Sequence, residues 1–452
     1  MRFPTRKMFV AALVAAAFLP LLRPAAPVAL AAPPGDAVIT WNANAGKAAT
    51  AACLAPLDNP LHESRLYAMT QVAVHDALNA IDRRSRPYAF DVHGDRGASP
   101  EAAVAAAARG VLVPLISQLP AELTPPACIA AGIASVETDY AAYLALIPDT
   151  PAKAQGIALG EGAAAAILAL RANDGAVGPF LNFNCPVNTQ PGEYQCTPGT
   201  PFIVFELWEN VTPFALRSSS QYRPGPPYTV DSKKYAADFN EVKSLGGDGV
   251  TTPSARTADQ TEIALYWWES SPLKWNRVAR VVSLQRGVEL WENARLFGLL
   301  NLALADGYIA MVDSKNHYNY WRPVTAIQNG ATDGNPRTTG DPTWTPLRGT
   351  PPDQDYVSGH AIEGGAGAEV LKQFFGTDRV RFKDCSASLP VGSCSEASPV
   401  LRSYSSFSQA ADENALSRIL IGFHFRKSVE EGTEYGRKIG RRATNLYMRP
   451  VK

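Results

Sequence analysis

The spacing of apolar and polar residues along the chain predicts a protein built mainly of helices. Apolar side chains recur every three or four residues in six segments: 65–82, 101–113, 152–172, 257–312, 412–421 and 429–447. The segment 257–312 is long enough for two or three helices. Alternation of apolar and polar residues, which is typical of strands, is scarce. We therefore expect an all-α fold of the helical-bundle type.

Stretches rich in glycine, proline and polar residues predict the connecting loops. There are four of them: 178–199, 223–227, 246–253 and 329–352. Long loops in a compact helical protein often carry the functional site.

The six cysteines predict loops held by disulfide bonds. Two pairs are close in sequence and lie in segments rich in proline, glycine and serine, and the third pair follows by elimination. The expected pairs are Cys185–Cys196, Cys385–Cys394 and Cys53–Cys128. No cysteine spacing resembles a zinc site. Such pairs are usual in an oxidising compartment.

The N-terminus predicts a signal peptide, residues 1–31. Positive residues precede an apolar run at 8–22, and small residues lead up to Ala31. A retained membrane anchor is the alternative, but Pro20 and Arg23 interrupt a run that is already short for a bilayer. No later stretch of about 20 residues is both apolar and free of charge, so we expect no further membrane span. The expected location is secreted or periplasmic.

The overall charge is balanced, with 42 basic and 42 acidic residues. A chain of zero net charge has no global attraction for nucleic acid or for an anionic membrane surface. The candidate chemistry is therefore found in local clusters of residues.

The first cluster contains Lys315, Arg322 and Pro323. Residues seven apart return to one face after about two helical turns, and Pro323 limits how far such a helix extends. An ammonium and a planar guanidinium suit the oxygens of an oxyanion. Two solvated surface charges are the alternative, and this is the commoner case for an isolated pair.

The second cluster is Ser358, Gly359 and His360, followed by small residues in a helical pattern. A hydroxyl, a glycine amide and an imidazole would then lie at a helix N-terminus, where free amides and the helix dipole favour an anion. An ordinary N-cap serine beside an incidental histidine is the alternative.

The third cluster contains Arg418 and His424. Six residues of regular helix turn by about 600°, so the two side chains would point about 120° apart. Both reach one ligand if the helix loosens at Gly422, or if the ligand lies between the two directions. A structural arginine and a core histidine are the alternative.

A fourth polar set, His75, Asp76 and Asn79, interrupts an apolar helical pattern. Polar groups in such a position usually form a buried hydrogen-bonded network. We favour that interpretation over a catalytic role.

In this order the clusters resemble the signature of the vanadium-dependent haloperoxidases and of the type 2 phosphatidic acid phosphatase superfamily that contains them. The signature reads K-x6-R-P, then S-G-H, then S-R-x3-G-x-H. Its counterparts are Lys315, Arg322, Ser358, Gly359, His360, Arg418 and His424. The flanking stretches 320–323 and 413–418 resemble the haloperoxidase versions. The similarity covers about residues 257–440, and the N-terminal part resembles, more loosely, a bacterial branch.

The resemblance implies a four-helix-bundle core and vanadate as the cofactor. The cofactor-binding residues would be Lys315, Arg322, Ser358, Gly359, Arg418 and His424. His424 would be the axial ligand of the metal, or the nucleophile that attacks phosphate in a phosphatase. His360 would be the acid–base group. Lys315 would also be catalytic, because it would polarise bound peroxide.

Three residues depart from the family pattern. Ser428 stands where the family often has an aspartate that orients the last histidine, so Glu430, Glu431 or a backbone carbonyl would have to replace it. Val357 stands where proline is usual. Asp353 falls where haloperoxidases tend to have an aromatic residue or a histidine near the halide, and an ionised carboxylate there would repel a halide.

The resemblance favours a vanadate-dependent haloperoxidase that oxidises halide with hydrogen peroxide and acts on an organic acceptor. The alternatives are an exported acid phosphatase with a phosphohistidine intermediate and a phosphoester substrate, or an oxyanion-binding homologue without catalysis. After the signal peptide we expect an N-terminal helical part with a loop-rich insertion, 32–256. A vanadate- or phosphate-binding helical core, 257–452, would pack with it as one unit.

Overall fold

The computed structural model describes residues 35–187 and 189–451, and within them the expected all-α fold is confirmed. The helices of this part are α1 (Ala37–Ala51), α2 (Pro60–Ile81), α3 (Pro100–Ser117), α4 (Pro126–Ala145), α5 (Pro151–Leu170), α6 (Lys233–Leu245), α7 (Ala258–Tyr266), α8 (Ser271–Arg286), α9 (Leu290–Tyr318), α10 (Pro323–Gln328), α11 (Gly359–Phe375), α12 (Phe407–Leu420) and α13 (Arg426–Leu446). The segment 257–312 thus contains α7, α8 and most of α9. The predicted signal peptide, 1–31, lies outside the described residues.

Strands are short and form two antiparallel pairs. β1 (Leu181–Asn182) pairs with β2 (Ile203–Val204), and β3 (Phe382–Asp384) pairs with β4 (Arg402–Tyr404). A 3₁₀ helix (Glu206–Asn210) follows β2 directly. Both strand pairs serve to close long loops between helices.

All three predicted disulfide bonds are present. Cys185–Cys196 closes the loop between β1 and β2, and Cys385–Cys394 closes the loop after β3. Cys53–Cys128 joins the end of α1 to α4. Each bond therefore fixes a segment that regular secondary structure leaves free.

The long helix α9 is the centre of the fold. It packs against α2 from the N-terminal half and against α11 and α13 from the C-terminal half. By length and composition α3 and α9 are apolar enough to cross a membrane, but the apolar stretch of α9 is wholly buried inside the fold and most of that of α3 is buried too. Burial among other helices accounts for this composition.

Helices α11 and α13 pack in backbone contact. A β-carbon on Gly436 would collide with the carbonyl oxygen of Ile362, and one on Gly365 would collide with the carbonyl oxygen of Thr433. Glycine at both places lets the two helices approach closely. This packing holds the N-terminus of α11, which begins at Gly359, against its neighbours.

Candidate functional site

The three oxyanion-binding clusters converge on one cavity of about 420 Å³. The predicted residues that line it are Lys315, Arg322, Gly359, His360, Arg418 and His424. Ser358 lies next to them, fully buried at the N-cap of α11. Each of the seven predicted residues is therefore brought to the same place.

Lys315 and Arg322 meet in a different way from the one that their spacing predicts. The expectation of one shared helix face is wrong, because α9 ends at Tyr318 and Asn319 takes a left-handed conformation with φ of 45°. Arg322 is instead the N-cap of the short helix α10, where Pro323 supplies the first helical residue. Turn geometry, and not helical periodicity, brings the two cations together.

Asp353 lies between these two cations. Its carboxylate pairs with the guanidinium of Arg322 and lies 3.2 Å from Nζ of Lys315. Its backbone oxygen accepts a hydrogen bond from Nε of Arg322 at 2.7 Å. Burial alone would raise the pKa of Asp353, but the charges of Lys315 and Arg322 outweigh burial and lower it. The side chain is therefore an ionised carboxylate within the cluster.

Burial also acts on Lys315 itself. Desolvation, followed by the positive charge of Arg322, lowers the pKa of Lys315 to about 8. Its ammonium donates a hydrogen bond to the backbone oxygen of Gln354. At neutral pH Lys315 is mostly protonated, but its pKa lies only slightly above that pH.

Ser358, Gly359 and His360 occupy the N-terminus of α11, as predicted. The side chain of Ser358 makes no capping hydrogen bond, and among the described residues its buried Oγ has no hydrogen-bond partner. Nε2 of His360 lies 3.1 Å from the backbone oxygen of Glu269. An N-cap serine that leaves the helix amides uncapped fits the anion-binding interpretation better than ordinary capping.

Arg418 and His424 come together because the helix stops between them. α12 ends at Leu420, and Gly422 follows in a left-handed conformation with φ of 88°. Of the two alternatives left open by the sequence, the structure thus shows the one in which the helix is interrupted between the two residues. Arg418 donates from Nη2 to the backbone oxygen of Trp267 at 3.0 Å. In the part of the chain that the structure describes, no carboxylate forms an ion pair with it, and burial lowers its pKa to about 9.

The carboxylate that orients His424 is Asp355, which the sequence analysis did not identify. Oδ1 of Asp355 lies 2.8 Å from Nδ1 of His424, and both side chains are almost fully buried. Ser428 supports the pair, because its hydroxyl donates to the backbone oxygen of Asp355 at 3.0 Å. Glu430 and Glu431, the predicted replacements, instead pair with basic residues of α13. The one sequence feature that pointed to Asp355 is its position three residues before Ser358 of the second cluster.

The contacts of His424 define its protonation state and show which ring nitrogen carries the proton. Nδ1 faces the Asp355 carboxylate, so it carries the proton, while Nε2 accepts from Nη1 of Arg322 at 3.0 Å. Burial, followed by the charges of Arg322 and Lys315, holds the pKa of His424 well below its usual range. Burial and the charge of Arg418 lower the pKa of His360 in the same way. Both rings are therefore neutral, and His424 has a lone pair on Nε2 for a ligand or for nucleophilic attack.

The fourth polar set is a structural network, as predicted. His75 contacts Asp76 at 2.8 Å and the hydroxyl of Ser85 at 2.7 Å. Asp76 also accepts hydrogen bonds from three backbone amides of residues 88–90. All these contacts tie the loop after α2 to that helix, and none of the residues lines the cavity.

The remaining lining of the cavity is largely apolar. It comes from the N-terminal half through Leu57, Leu61, Leu123, Val204 and Phe205, and from the C-terminal half through Trp268, Met311 and Phe423. The cavity therefore combines a cluster of cations with apolar walls, which is usual for sites that bind small molecules.

Comparison with known proteins gives vanadium haloperoxidases among the similar proteins. Residues 295–452 match the family model described as VCPO second helical-bundle domain. The curated relative is the vanadium chloroperoxidase of Curvularia inaequalis, 24% identical over 270 residues. That match covers 46% of this chain and 43% of the relative, so it spans less than half of the relative's length.

Solved structures show the same fold over most of the chain. The structure of the first bacterial vanadium-dependent iodoperoxidase is similar with a TM-score of 0.73 and 23% identity, over 92% of this chain and 97% of that one. The holo-type bacterial vanadium-dependent chloroperoxidase gives a TM-score of 0.67 and 17% identity, over 92% of this chain and 96% of that one. The apo-type bacterial vanadium-dependent chloroperoxidase gives a TM-score of 0.67 and 15% identity, over 87% of this chain and 95% of that one.

Proposed function

We propose, from the premise that the chain belongs through residues 295–452 to the vanadium haloperoxidase superfamily, that it is a vanadate-dependent haloperoxidase. The observation that carries the proposal is the convergence of three buried cations and two neutral histidines on one cavity. Hydrogen peroxide and a halide would be its substrates, with an organic acceptor bound against the apolar walls of the cavity.

The residues present fit vanadate. Ser358 offers a buried hydroxyl that no described residue uses, and Arg418 is a buried cation without a carboxylate partner in the described chain. Both features are costly unless an anion completes them. Lys315, Arg322 and Arg418 would hold the oxygens, together with the Ser358 hydroxyl and the Gly359 amide. His424 would be the ligand of the metal, through Nε2.

Bound vanadate would supply the activation of hydrogen peroxide towards a halide. Oxidation of a halide by peroxide to hypohalous acid and water consumes one proton. His360 would be the residue that passes it, since it lines the cavity with a neutral ring that the carbonyl of Glu269 holds at Nε2. Lys315 would place a positive charge beside the oxygens held in the cavity and so stabilise negative charge that develops on them.

A phosphatase is the second candidate, and the Asp355–His424 pair favours it. A neutral histidine with Nδ1 held by a carboxylate is also a competent nucleophile for phosphorus. The same cations would stabilise the charge of the transferring phosphoryl group. An oxyanion-binding protein without catalysis is the third candidate. In the sequence this candidate was supported by Asp353 and by Ser428, which stands where the family often has an aspartate that orients the last histidine. Because Asp355 contacts His424 instead, Ser428 no longer supports a loss of catalysis.

The experiment that tests the proposal uses the metal-free protein. Oxidation of iodide, bromide and chloride by hydrogen peroxide is measured with and without orthovanadate, beside His424→Ala and the exposed control His93→Ala. We expect oxidation only with vanadate, lost in His424→Ala and kept in His93→Ala. Hydrolysis of a phosphoester without peroxide, inhibited by vanadate, would instead establish the phosphatase. Vanadate binding without either turnover would establish the third candidate.

Export is proposed as well. The three disulfide bonds support an oxidising compartment, and residues 1–31 have the pattern of a signal peptide. Expression of the full chain in a bacterium should give a mature protein outside the cytoplasm that begins close to Ala32. N-terminal sequencing checks this, and a cytoplasmic chain that keeps its first 31 residues would contradict it.

A further inference from the structure

We propose that Asp353 is a built-in competitor of the oxyanion: its carboxylate occupies the Lys315–Arg322 side of the cavity and must leave before an oxyanion can bind there. This inference rests on the proposed function, because it concerns the same cavity. It adds a residue of this chain that sets the affinity for the cofactor.

The contacts show why a ligand and Asp353 exclude each other. Both carboxylate oxygens are engaged, one with Arg322 and the other with Lys315. The remaining nitrogens of Arg322 donate to the backbone oxygens of Asp353 and Phe423 and to His424. Lys315 donates to Gln354 as well. Oxygens of an incoming anion therefore need the donors that the Asp353 side chain now holds.

The charges lead to the same conclusion. Lys315, Arg322 and Arg418 bring three positive charges to the cavity, and Asp353 neutralises one of them. Arg418 has no such partner in the described chain. The cavity is therefore divided into a side already filled by a carboxylate and a side that is open to an anion.

Asp353 is also placed where it can move. Its side chain is 16% exposed, whereas those of Lys315 and Arg322 are 2% and 1% exposed. Pro351 and Pro352 precede it and also line the cavity, and proline fixes their φ angles. Rotation of the Asp353 side chain towards the solvent is therefore the least disruptive way to free the two cations.

The test measures binding and not turnover. The dissociation constant of orthovanadate is determined by calorimetry for the full-length metal-free protein, for Asp353→Asn and for Asp231→Asn. Asp231 is exposed and lies outside the cavity, so its variant controls for the loss of one negative charge. We expect about a tenfold lower dissociation constant in Asp353→Asn, as for the loss of one close charge pair, and no change in Asp231→Asn. An unchanged or weaker affinity in Asp353→Asn, or no binding by any of the proteins, would overturn the inference.

A second measurement covers the case in which Asp353→Asn does not fold. A crystal structure of the wild-type protein with orthovanadate should show the Asp353 carboxylate turned away from Lys315 and Arg322. Retention of both ion pairs beside bound vanadate would overturn the inference. Neither readout depends on halide oxidation. A protein that fails the peroxidase assay can therefore still support the role of Asp353, and an active peroxidase can still contradict it.

Discussion

Replacement of Asp355 by asparagine tests how His424 is held. Asp355 Oδ1 lies 2.8 Å from Nδ1 of His424, and the two side chains are 1% and 6% exposed. The side-chain amide of the Asp355→Asn variant could still accept a hydrogen bond but would carry no charge. The variant therefore removes the charge-assisted part of one buried interaction and leaves the shape of the site almost unchanged.

The size of the effect follows from the burial of the pair. Loss of a residue that orients a metal-binding histidine usually lowers metal affinity by about 10- to 100-fold, which corresponds to about 1.4–2.8 kcal/mol, and we expect a loss of this size in vanadate affinity. Burial raises the pKa of Asp355 to about 7, against the opposing charges of Arg322 and Lys315. Below pH 7 the wild-type side chain is mostly protonated and resembles asparagine. The difference between the two proteins should therefore grow as the pH rises through about 7.

The assay is calorimetric titration of orthovanadate at pH 6 and pH 8 for the wild type, Asp355→Asn and Ser428→Ala. The change in the charge of vanadate with pH affects all three proteins equally, so it cancels in their ratios. Ser428→Ala should weaken binding less than Asp355→Asn, because its hydroxyl lies 3.4 Å from Nδ1 of His424 and acts mainly on the Asp355 backbone. The reasoning fails if Asp355→Asn binds vanadate as tightly as the wild type, or if Ser428→Ala has the larger effect.

Three further predictions concern charge, packing and covalent links. Because the pKa of Lys315 is about 8 and that of Arg418 is about 9, affinity for tungstate, whose own charge is constant in this range, should fall as the pH rises from 7 to 9 and the two side chains lose positive charge; equal calorimetric affinities at the two pH values would refute this. Gly436→Ala should destabilise the protein by about 1–3 kcal/mol, since the new methyl group collides with a backbone oxygen of α11. Its melting temperature should be lower than that of the control Gly225→Ala, in which the methyl group enters open space. Replacement of Cys53 and Cys128 by serine should lower the free energy of unfolding by about 4 kcal/mol, because their bond spans 75 residues; denaturation with and without reductant measures this, and a change below about 1 kcal/mol would contradict it.

The parts of the site that lie at helix ends could be predicted because their signals are local. Ser358 and Gly359 precede a segment of small residues with a helical pattern, so their place at a helix N-terminus follows from sequence alone. A regular helix would point Arg418 and His424 about 120° apart, so a break at Gly422 was one of two ways for both to reach one ligand. Each of these inferences depends on neighbours within about six residues.

The ion pairs that the two aspartates form could not be predicted, because these pairs depend on contacts between distant parts of the chain. Asp355 and His424 are 69 residues apart, and only the packing of the loop before α11 brings them together. The pairing of Asp353 with Lys315 and Arg322 has the same origin. The proximity of Lys315 and Arg322 was predicted for a wrong reason, since the left-handed conformation of Asn319 ends α9 first. Asparagine tolerates that conformation, but its presence does not require it.

The charge state of the site explains why one cavity suits two chemistries. Three cations stabilise any trigonal-bipyramidal arrangement of oxygens, whether its centre is vanadium or phosphorus. The neutral ring of His424 can equally coordinate a metal or attack phosphorus, because both need the lone pair on Nε2. The choice between the two therefore depends on what else can approach. In the proposed peroxidase reaction a halide that enters the cavity would meet the Asp353 carboxylate, which would repel it. An oxyanion that displaces Asp353 would remove this barrier in the same step, so cofactor binding and halide access would be coupled through a single side chain.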